Sequence, residues 1–197
     1  MWEESYATPE YVFGRDPAPF VADNMDLFAP GDRVLCIADG EGRNSVHLAR
    51  AGVTVTAFDL SPSAVKKAQK LAAEAGVSVE CHVSTLKSWD WSRRFDTVLG
   101  VFIQFTPQAQ QAAVFADFAR AVHPGGRLVL HGFTPDQVEL GTGGPSDPGN
   151  MYTTEKLRGF LPGWKVEHAR EYRAEQHSGA RHSGICALID FVARKPV

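Results

Sequence analysis

The residues best suited to chemistry lie at a tight glycine turn and at an acidic residue that follows it. An apolar run over residues 34–38 ends at Gly40 and Gly42, and a helical pattern begins at once. Glycine lets a ligand approach the backbone, and the start of a helix offers free N–H groups. A second apolar run ends at Asp59, whose carboxylate could accept hydrogen bonds from two ribose hydroxyls. This arrangement predicts a site for an adenosine-containing cofactor, although Asp59 could instead simply cap the helix that follows it.

Alternating strand and helix patterns fill the first two thirds of the chain. Ser61 and Pro62 are the favoured residues for a helix N-cap and first turn, and Gly76 is a typical helix end. A strand followed by a helix, repeated, predicts a parallel sheet with helices on both faces. Strands are predicted at 33–38, 53–59, 77–83, 95–101 and 127–132, and helices at 18–28, 43–51, 62–75 and 107–121.

The pattern changes near the end of the chain and is unclear at its beginning. Residues 134–150 are rich in Gly, Pro and Asp and predict a long loop, with a short helix at 154–160 after it. Two strands, 164–174 and 184–194, are joined by a hairpin and are expected to be antiparallel. Residues 1–17 are rich in aromatic side chains, which fits either an arm packed on the core or a lid over a ligand.

The composition is that of an ordinary globular domain. With 197 residues, the chain is predicted to be one domain, with an N-terminal arm and helix over 1–30 and the core over 31–197. A net charge of −3 gives no reason to expect nucleic acid or an anionic membrane as a partner. No apolar run is long enough for a membrane helix, and the acidic N-terminus is unlike a targeting signal, so a cytoplasmic location is expected.

Three cysteines, Cys36, Cys81 and Cys186, lack metal-ligand spacing. They are expected to be reduced packing residues, and no metal site is predicted. The sequence leaves the oligomeric state open.

The order of elements and several short motifs resemble the class I S-adenosylmethionine-dependent methyltransferases, and most closely the tellurite-resistance and thiopurine methyltransferase-like group. The resemblance implies a three-layer α/β Rossmann-like fold. Its mostly parallel sheet would have seven strands in the order 3-2-1-4-5-7-6, with strand seven antiparallel. The motifs that carry the resemblance are residues 40–45, 58–62, 123–128, 11–14 and the segment from His177 to Gly184.

The chain also departs from the family pattern at three positions. Cys36 stands where the family usually has an acidic residue, and Ala38 stands at its first glycine. Thr85 replaces an aspartate that the family places near the adenine amino group. Two acidic contacts are therefore replaced, while Asp59 is kept and Asp39 offers a carboxylate at a different register.

The resemblance implies where the cofactor would bind. The backbone from Ala38 to Gly42 would hold its amino-acid end, Asp59 its ribose, and the residues around Leu60 and Leu86 its adenine. Arg43 would contact the cofactor carboxylate or remain solvated. The complete set of expected cofactor contacts is Ala38, Asp39, Gly40, Gly42, Arg43, Asp59, Leu60, Thr85, Leu86, Val101, Phe102 and Phe105.

On the acceptor side, the resemblance implies that His177, Arg181 and His182 are catalytic, because histidine can act as a base and arginine binds oxyanions. The alternative is a solvated hairpin tip. The other histidines are expected to be structural, with His131 the least certain because it ends a strand.

The resulting hypothesis is an S-adenosylmethionine-dependent methyltransferase acting on a small molecule, such as a thiol or a tellurium or selenium oxyanion. Soft nucleophiles of this kind need little acid–base help, so positioning and exclusion of water suffice. A nicotinamide-dependent oxidoreductase is an alternative because residues 40–45 nearly match its glycine fingerprint, but the chain leaves no room for a substrate domain. A non-catalytic cofactor-binding module is the other, because Cys36 and Thr85 replace acidic contacts.

Overall fold

In the computed structural model, the described backbone covers residues 2–178 and 182–197, and the described side chains cover residues 2–176 and 184–197. Over this part of the chain, seven strands form one sheet. They are β1 (Arg33–Ile37), β2 (Thr54–Asp59), β3 (Glu80–Val83), β4 (Phe95–Val101), β5 (Val122–Phe133), β6 (Lys165–Ser178) and β7 (His182–Arg194). The strand order is β3-β2-β1-β4-β5-β7-β6, which confirms the predicted α/β fold and topology.

Helices follow most of the strands. They are α1 (Trp2–Tyr6), α2 (Pro19–Asp23), α3 (Arg43–Arg50), α4 (Pro62–Glu74), α5 (Gln108–Ala121), α6 (Gln137–Leu140) and α7 (Thr154–Phe160), with 3₁₀ turns at Met25–Leu27 and Pro148–Asn150. Residues 134–150 are therefore not wholly loop as predicted. Within the described residues, no helix is both long and apolar enough to cross a membrane.

The helix predicted over 18–28 is interrupted at Asn24. Its side-chain amide donates a hydrogen bond to the carbonyl of Phe20 at 2.7 Å. That carbonyl is the acceptor that a continuing α-helix would use, so the side chain competes with the helix backbone. The chain continues from there as a 3₁₀ turn.

The pairing of strands explains the mixed sheet. β1, β2 and β3 pair in parallel, as do β4 and β5, while β7 runs antiparallel to β5 from Arg127↔Arg194 to Phe133↔Leu188. Strand β5 begins five residues earlier than predicted, because the register with β4 shifts where Phe95 pairs with Val122. The sequence His-Pro-Gly-Gly is thus a bulge within the strand and does not stop it.

The chain divides into two compact units, one extending to Asp90 and the other beginning at Trp91. In the first unit, β1 is buried almost throughout, which is typical of a parallel strand covered on both faces. In the second unit, the buried residues include Phe115, Phe118 and much of β5 and β7. The cysteines are free thiols, with Cys36 and Cys186 buried as expected and Cys81 half-buried.

Candidate active site

The glycine turn of the first unit is built from left-handed backbone. Ala38, Gly40 and Gly42 have φ angles of 47°, 62° and 87°. Asp59 fixes this conformation because one carboxylate oxygen accepts a hydrogen bond from the N–H of Gly40 at 2.9 Å. Its other oxygen accepts from the N–H of Ser61, also at 2.9 Å, so the same side chain supports the start of α4. The bond to Ser61 agrees with the interpretation of Asp59 as a residue that supports the helix start, and its role as a ribose contact stays a prediction.

The space around the turn explains why it needs glycine. A Cβ added to Gly42 would lie 2.7 Å from the Cβ of Ala68, and one added to Gly40 would lie 3.1 Å from the hydroxyl of Tyr6. Both glycines are buried, so the turn needs them because Ala68 and Tyr6 leave no room for a Cβ. The backbone of residues 38–42 forms a cradle in which N–H groups could bind the amino-acid end of an adenosyl cofactor.

Three carboxylates surround the turn, and each is held differently. Asp39 accepts a hydrogen bond from the hydroxyl of Ser45, and burial raises the pKa of Asp39 to about 7. Burial also raises the pKa of Asp59. Glu41 forms an ion pair with Lys67 at 2.7 Å and accepts a hydrogen bond from a backbone N–H at 2.8 Å. Of these three carboxylates, Asp39 and Asp59 have no lysine or arginine of the described residues in direct ion-pair contact.

Arg43, one of the expected cofactor contacts, is nine-tenths buried at the start of α3. Its guanidinium donates a hydrogen bond to the carbonyl of Phe13 at 3.2 Å and lies 5.8 Å from the centre of the Phe13 ring. Arg43 is thus not a solvated residue, and it connects the turn to the N-terminal segment.

The N-terminal segment is packed on the first unit. Glu3 accepts hydrogen bonds from the hydroxyls of Ser61 and Ser63 at the start of α4, and these contacts lower its pKa. The Tyr11 hydroxyl donates to the carbonyl of Lys67 at 3.2 Å. Tyr6 is buried beside the turn, where burial and the charge of Asp59 raise its pKa. The sequence did not indicate Tyr6 as a site residue, and its aromatic neighbours were the one available signal.

The residues expected near adenine lie beyond the ends of β2 and β3. Leu60 and Val83 are exposed apolar side chains, at 46% and 55%. Leu86 is partly buried. The hydroxyl of Thr85 accepts a hydrogen bond from the N–H of Ser88 at 3.1 Å, so it closes a turn. The described residues of this region therefore offer mainly apolar surface to an adenine ring.

In the second unit, Phe102 follows β4 in a left-handed conformation with φ of 56°. Its N–H donates to the carbonyl of His131 at 2.8 Å. Its ring lies 4.8 Å from the ring of His131 and 4.7 Å from that of Phe133, measured between centroids. Val101 is partly buried and Phe105 is 41% exposed.

A buried glutamine holds this loop. The Gln104 amide donates to the carbonyl of Phe133 at 2.5 Å and accepts from the N–H of Phe133 at 2.6 Å. Because one side chain satisfies both backbone groups, the end of β5 is fixed against the loop that carries Phe102.

His131 takes part in a polar group that the sequence did not reveal. Its Nδ1 lies 2.7 Å from a carboxylate oxygen of Asp190, and the same oxygen accepts a hydrogen bond from the Tyr172 hydroxyl at 3.2 Å. His131 and Asp190 are buried. The expectation that His131 is merely structural stays open, since it now has the partner that a functional histidine needs.

The predicted catalytic residues of the hairpin are not tested. The side chains of His177 and His182 lie outside the described residues, and so does the whole of Arg181.

Residues 34–126 match a protein-family model described as a methyltransferase domain. The match covers a little under half of the chain. The match begins in β1 and ends within β5, so it includes the glycine turn, Asp59 and Phe102.

Curated relatives match about half of this chain. An uncharacterized protein of Mycobacterium tuberculosis is 36% identical over 108 residues, which are 54% of this chain and 39% of the relative. A ubiquinone biosynthesis O-methyltransferase of Xanthomonas euvesicatoria is 33% identical over 114 residues, 56% of this chain and 46% of the relative. The chain spans less than half the length of these relatives.

Solved structures share the fold of this chain. A structure concerned with the conversion of a disulfide bond into a thioacetal group during echinomycin biosynthesis has a TM-score of 0.80 and 21% identity, over 98% of this chain and 88% of that one. TehB from Haemophilus influenzae has a TM-score of 0.70 and 16% identity, over 98% and 65%. Magnesium protoporphyrin IX methyltransferase from Synechocystis, with bound S-adenosylhomocysteine, has a TM-score of 0.66 and 20% identity, over 89% and 78%.

Proposed function

We propose that this protein is an S-adenosylmethionine-dependent methyltransferase that acts on a small molecule. The observation that carries the proposal is the left-handed turn that Asp59 fixes through the N–H of Gly40. The same residues fall within the match to the methyltransferase domain. A turn of this kind at the end of a parallel strand, with an acidic residue at the end of the next, is suited to an adenosine-containing ligand.

The residues of the first unit would hold the cofactor largely as the sequence predicted. The backbone from Ala38 to Gly42 would bind its amino-acid end, Asp59 its ribose, and Leu60, Thr85 and Leu86 its adenine. The exposed apolar side chain of Val83, which the sequence did not indicate, would add to the adenine contact. When bound, S-adenosylmethionine supplies an electrophilic methyl group on a sulfonium centre. In the second unit, the ring of Phe102 or Phe105 could stabilise a nearby cation by about 0.5–2 kcal/mol.

The acceptor is proposed to be a small molecule with an apolar body. Phe105, Val138 and Ile185 are large apolar side chains that the second unit leaves exposed, at 41%, 46% and 56%. Thiols and oxyanions of tellurium or selenium are the acceptors that the sequence motifs imply. Hydroxyl compounds belong in the same screen, because a named O-methyltransferase is among the relatives.

Two further properties are proposed with the function. A cytoplasmic location and a single cooperative domain remain predictions from the sequence. A single cooperative domain should show one transition when its thermal unfolding is measured by calorimetry, whereas two independent units should show two.

The first experiment is calorimetric titration of the purified protein with S-adenosylmethionine, S-adenosylhomocysteine and NAD. Micromolar affinity for both adenosyl compounds and none for NAD supports the proposal. Mass spectrometry of thiols, phenols, tellurite and selenite incubated with the cofactor then identifies the acceptor class. No binding of either adenosyl compound would refute the proposed function, and binding with no methylation of any acceptor would favour the non-catalytic module.

A further inference from the structure

One polar pair interrupts an apolar ladder in the second unit. His131 and Asp190 are direct partners across β5 and β7. The neighbouring pairs of the same ladder that face the same side are Val129↔Val192 and Phe133↔Leu188. Burying a histidine and a carboxylate in such a place is unfavourable unless they are paired, and an apolar pair would stabilise the sheet at least as well. The pair therefore calls for a functional explanation.

The hydrogen bonds define which nitrogen of His131 is basic. An ionised Asp190 can only accept, so the 2.7 Å contact requires His131 Nδ1 to carry the proton. Nε2 then holds the lone pair. The Tyr172 hydroxyl donates to the same carboxylate oxygen at 3.2 Å and keeps it oriented. An imidazole oriented by a carboxylate at one nitrogen and basic at the other is the arrangement that activates a nucleophile.

The surroundings of the pair are apolar. The rings of Phe102 and Phe133 pack beside His131, and the adjoining buried cluster consists of Phe133, Met151, Cys186 and Leu188. Among the described residues, the titratable groups in this cluster and against it are the Cys186 thiol and the Tyr172 hydroxyl, and neither is a cation. The exposed guanidinium of Arg170 lies 4.5 Å from the centre of the Tyr172 ring, and it is not part of the buried cluster. An oxyanion needs positive donors, whereas an apolar molecule with one removable proton suits these surroundings.

We infer that His131 is the general base for the methyl acceptor and that Asp190 positions His131, an inference that rests on the proposed methyltransferase function. The acceptor is an apolar compound with a weakly acidic hydroxyl, such as a phenol. The acceptor O–H bond breaks, its electron pair stays on oxygen, and the proton bonds to Nε2 of His131. The imidazolium is stabilised by Asp190. The oxygen would then bond to the methyl carbon as the bond between that carbon and the sulfonium sulfur breaks, with the electron pair of the broken bond left on the sulfur of S-adenosylhomocysteine. The proton would pass to water after the product leaves.

Phe102 marks where the acceptor reaches His131. His131 is only 2% exposed, and Phe102 is a partly exposed side chain whose ring packs against it. The left-handed backbone of Phe102 is strained for a bulky residue. A change in the backbone conformation of Phe102 would relieve this strain and open a path for the acceptor to the imidazole of His131.

The test is His131→Asn, assayed on phenol and thiophenol panels with the same ring substituents. The Asn amide can still donate to Asp190, but it cannot take a proton. Thiophenols are largely ionised near pH 8 and need no base, so they serve as the matched control. We expect the kcat/KM for phenols to fall by about 10²–10⁴ and that for thiophenols by less than about tenfold. S-adenosylhomocysteine affinity and thermal stability should stay near wild type.

The outcomes separate this inference from the proposed function. Equal losses on both panels, or no loss on either, overturn the role of His131 as a base. Cofactor binding without turnover of any phenol also overturns it, while methylation of another acceptor leaves the proposed function standing. Absence of cofactor binding in the wild type refutes the proposed function itself. Asp190→Asn provides a second variant, and it should reduce phenol turnover selectively but less than His131→Asn.

Discussion

The two compact units support the residues at the ends of their strands in different ways. In the first, the backbone of the glycine turn is held by Asp59 through N–H groups. In the second, side chains from separate parts of the chain contact one another, namely Phe102, His131, Tyr172 and Asp190. Each unit contains a non-glycine residue with positive φ directly after a strand, Ala38 in the first and Phe102 in the second.

This difference would suit the two tasks of the proposed methyltransferase, which are to bind a cofactor and to bind an acceptor. The cofactor is the same whichever acceptor is used. A cradle made of backbone groups suits such a ligand, because most side-chain substitutions leave backbone groups in place. An acceptor varies between enzymes, and side chains on several strands can be exchanged without rebuilding the turn. Changes in the first unit should therefore alter cofactor affinity, and changes in the second should alter acceptor use.

The largest effect is expected for Asp59→Ala. Removal of the carboxylate leaves the N–H groups of Gly40 and Ser61 without their acceptor, at a cost of about 1–3 kcal/mol each, and removes the ribose contact. We expect S-adenosylhomocysteine affinity to fall by at least ~100-fold, which corresponds to about 2.7 kcal/mol. Calorimetric titration measures this, with Asp59→Asn as an intermediate control. Unchanged affinity in Asp59→Ala would contradict the proposal that Asp59 supports cofactor binding at the glycine turn.

Gly42→Ala tests how tightly the turn is packed. Its Cβ would meet Ala68 at 2.7 Å, and its φ of 87° disfavours any side chain. Overpacking and left-handed strain together should lower the free energy of unfolding by about 2–5 kcal/mol. Gly31→Ala is the control, since its φ is 88° with nothing within 4 Å, so it should lose only about 1–2 kcal/mol. Equal losses in urea unfolding would show that Ala68 does not limit the turn.

Gln104→Leu makes the corresponding change in the second unit. It leaves the N–H and carbonyl of Phe133 without their partner and should destabilise the protein by about 2–4 kcal/mol. The comparison between units predicts a higher KM for the acceptor with little change in cofactor affinity. The exposed Gln110→Leu is a matched control. A loss confined to cofactor affinity would break the division of tasks.

Asp39→Asn tests the pH dependence of the first unit. Burial raises the pKa of Asp39 from 3.8 to about 7, so the folded protein binds a proton that the unfolded chain has released. The resulting contribution to stability is fully present below pH 3.8 and is lost as the pH rises through about 7. Denaturation between pH 4 and pH 8 should show this decline in the wild type and not in Asp39→Asn. An unchanged decline would assign it to another group.

The smallest effect is expected for Glu3→Ala, which removes hydrogen bonds that hold the N-terminal segment to Ser61 and Ser63. Because Glu3 lies on the surface, overall stability should change little. Limited proteolysis within the first 17 residues should become several-fold faster, and Glu10→Ala, which lacks these contacts, should not change it. Equal rates for the two variants would indicate that Tyr11 and Arg43 suffice to hold the segment.

Local signals in the sequence were enough for the alternating strands and helices and for the turn, while the order of the strands was implied by the family resemblance. Gly40, Gly42 and Asp59 could be identified because strand ends and glycine turns depend on residues that are neighbours in the sequence. The start of β5 was wrong because the sequence of a bulge resembles that of a strand end. The helix break at Asn24 was missed because it depends on one side-chain hydrogen bond.

Contacts between distant residues were not predictable. The packing of Glu3 against Ser61 joins residues with no shared pattern, and it is compatible with either an arm or a closed lid. His131 could be suspected only from its place at a strand end. Its partner Asp190 lies in a strand that reads as apolar, so nothing in the sequence links the two.

The spacing of these contacts along the chain also has a consequence for how the protein folds. The bond from Gly40 to Asp59 spans 19 residues, whereas that between His131 and Asp190 spans 59. Contacts over longer separations carry a larger loop-closure cost and form more slowly. On a ribosome, the glycine turn can close as soon as β2 has emerged, while His131 must wait for almost the whole chain. A nascent chain should therefore form the glycine turn well before it forms the pair of His131 and Asp190.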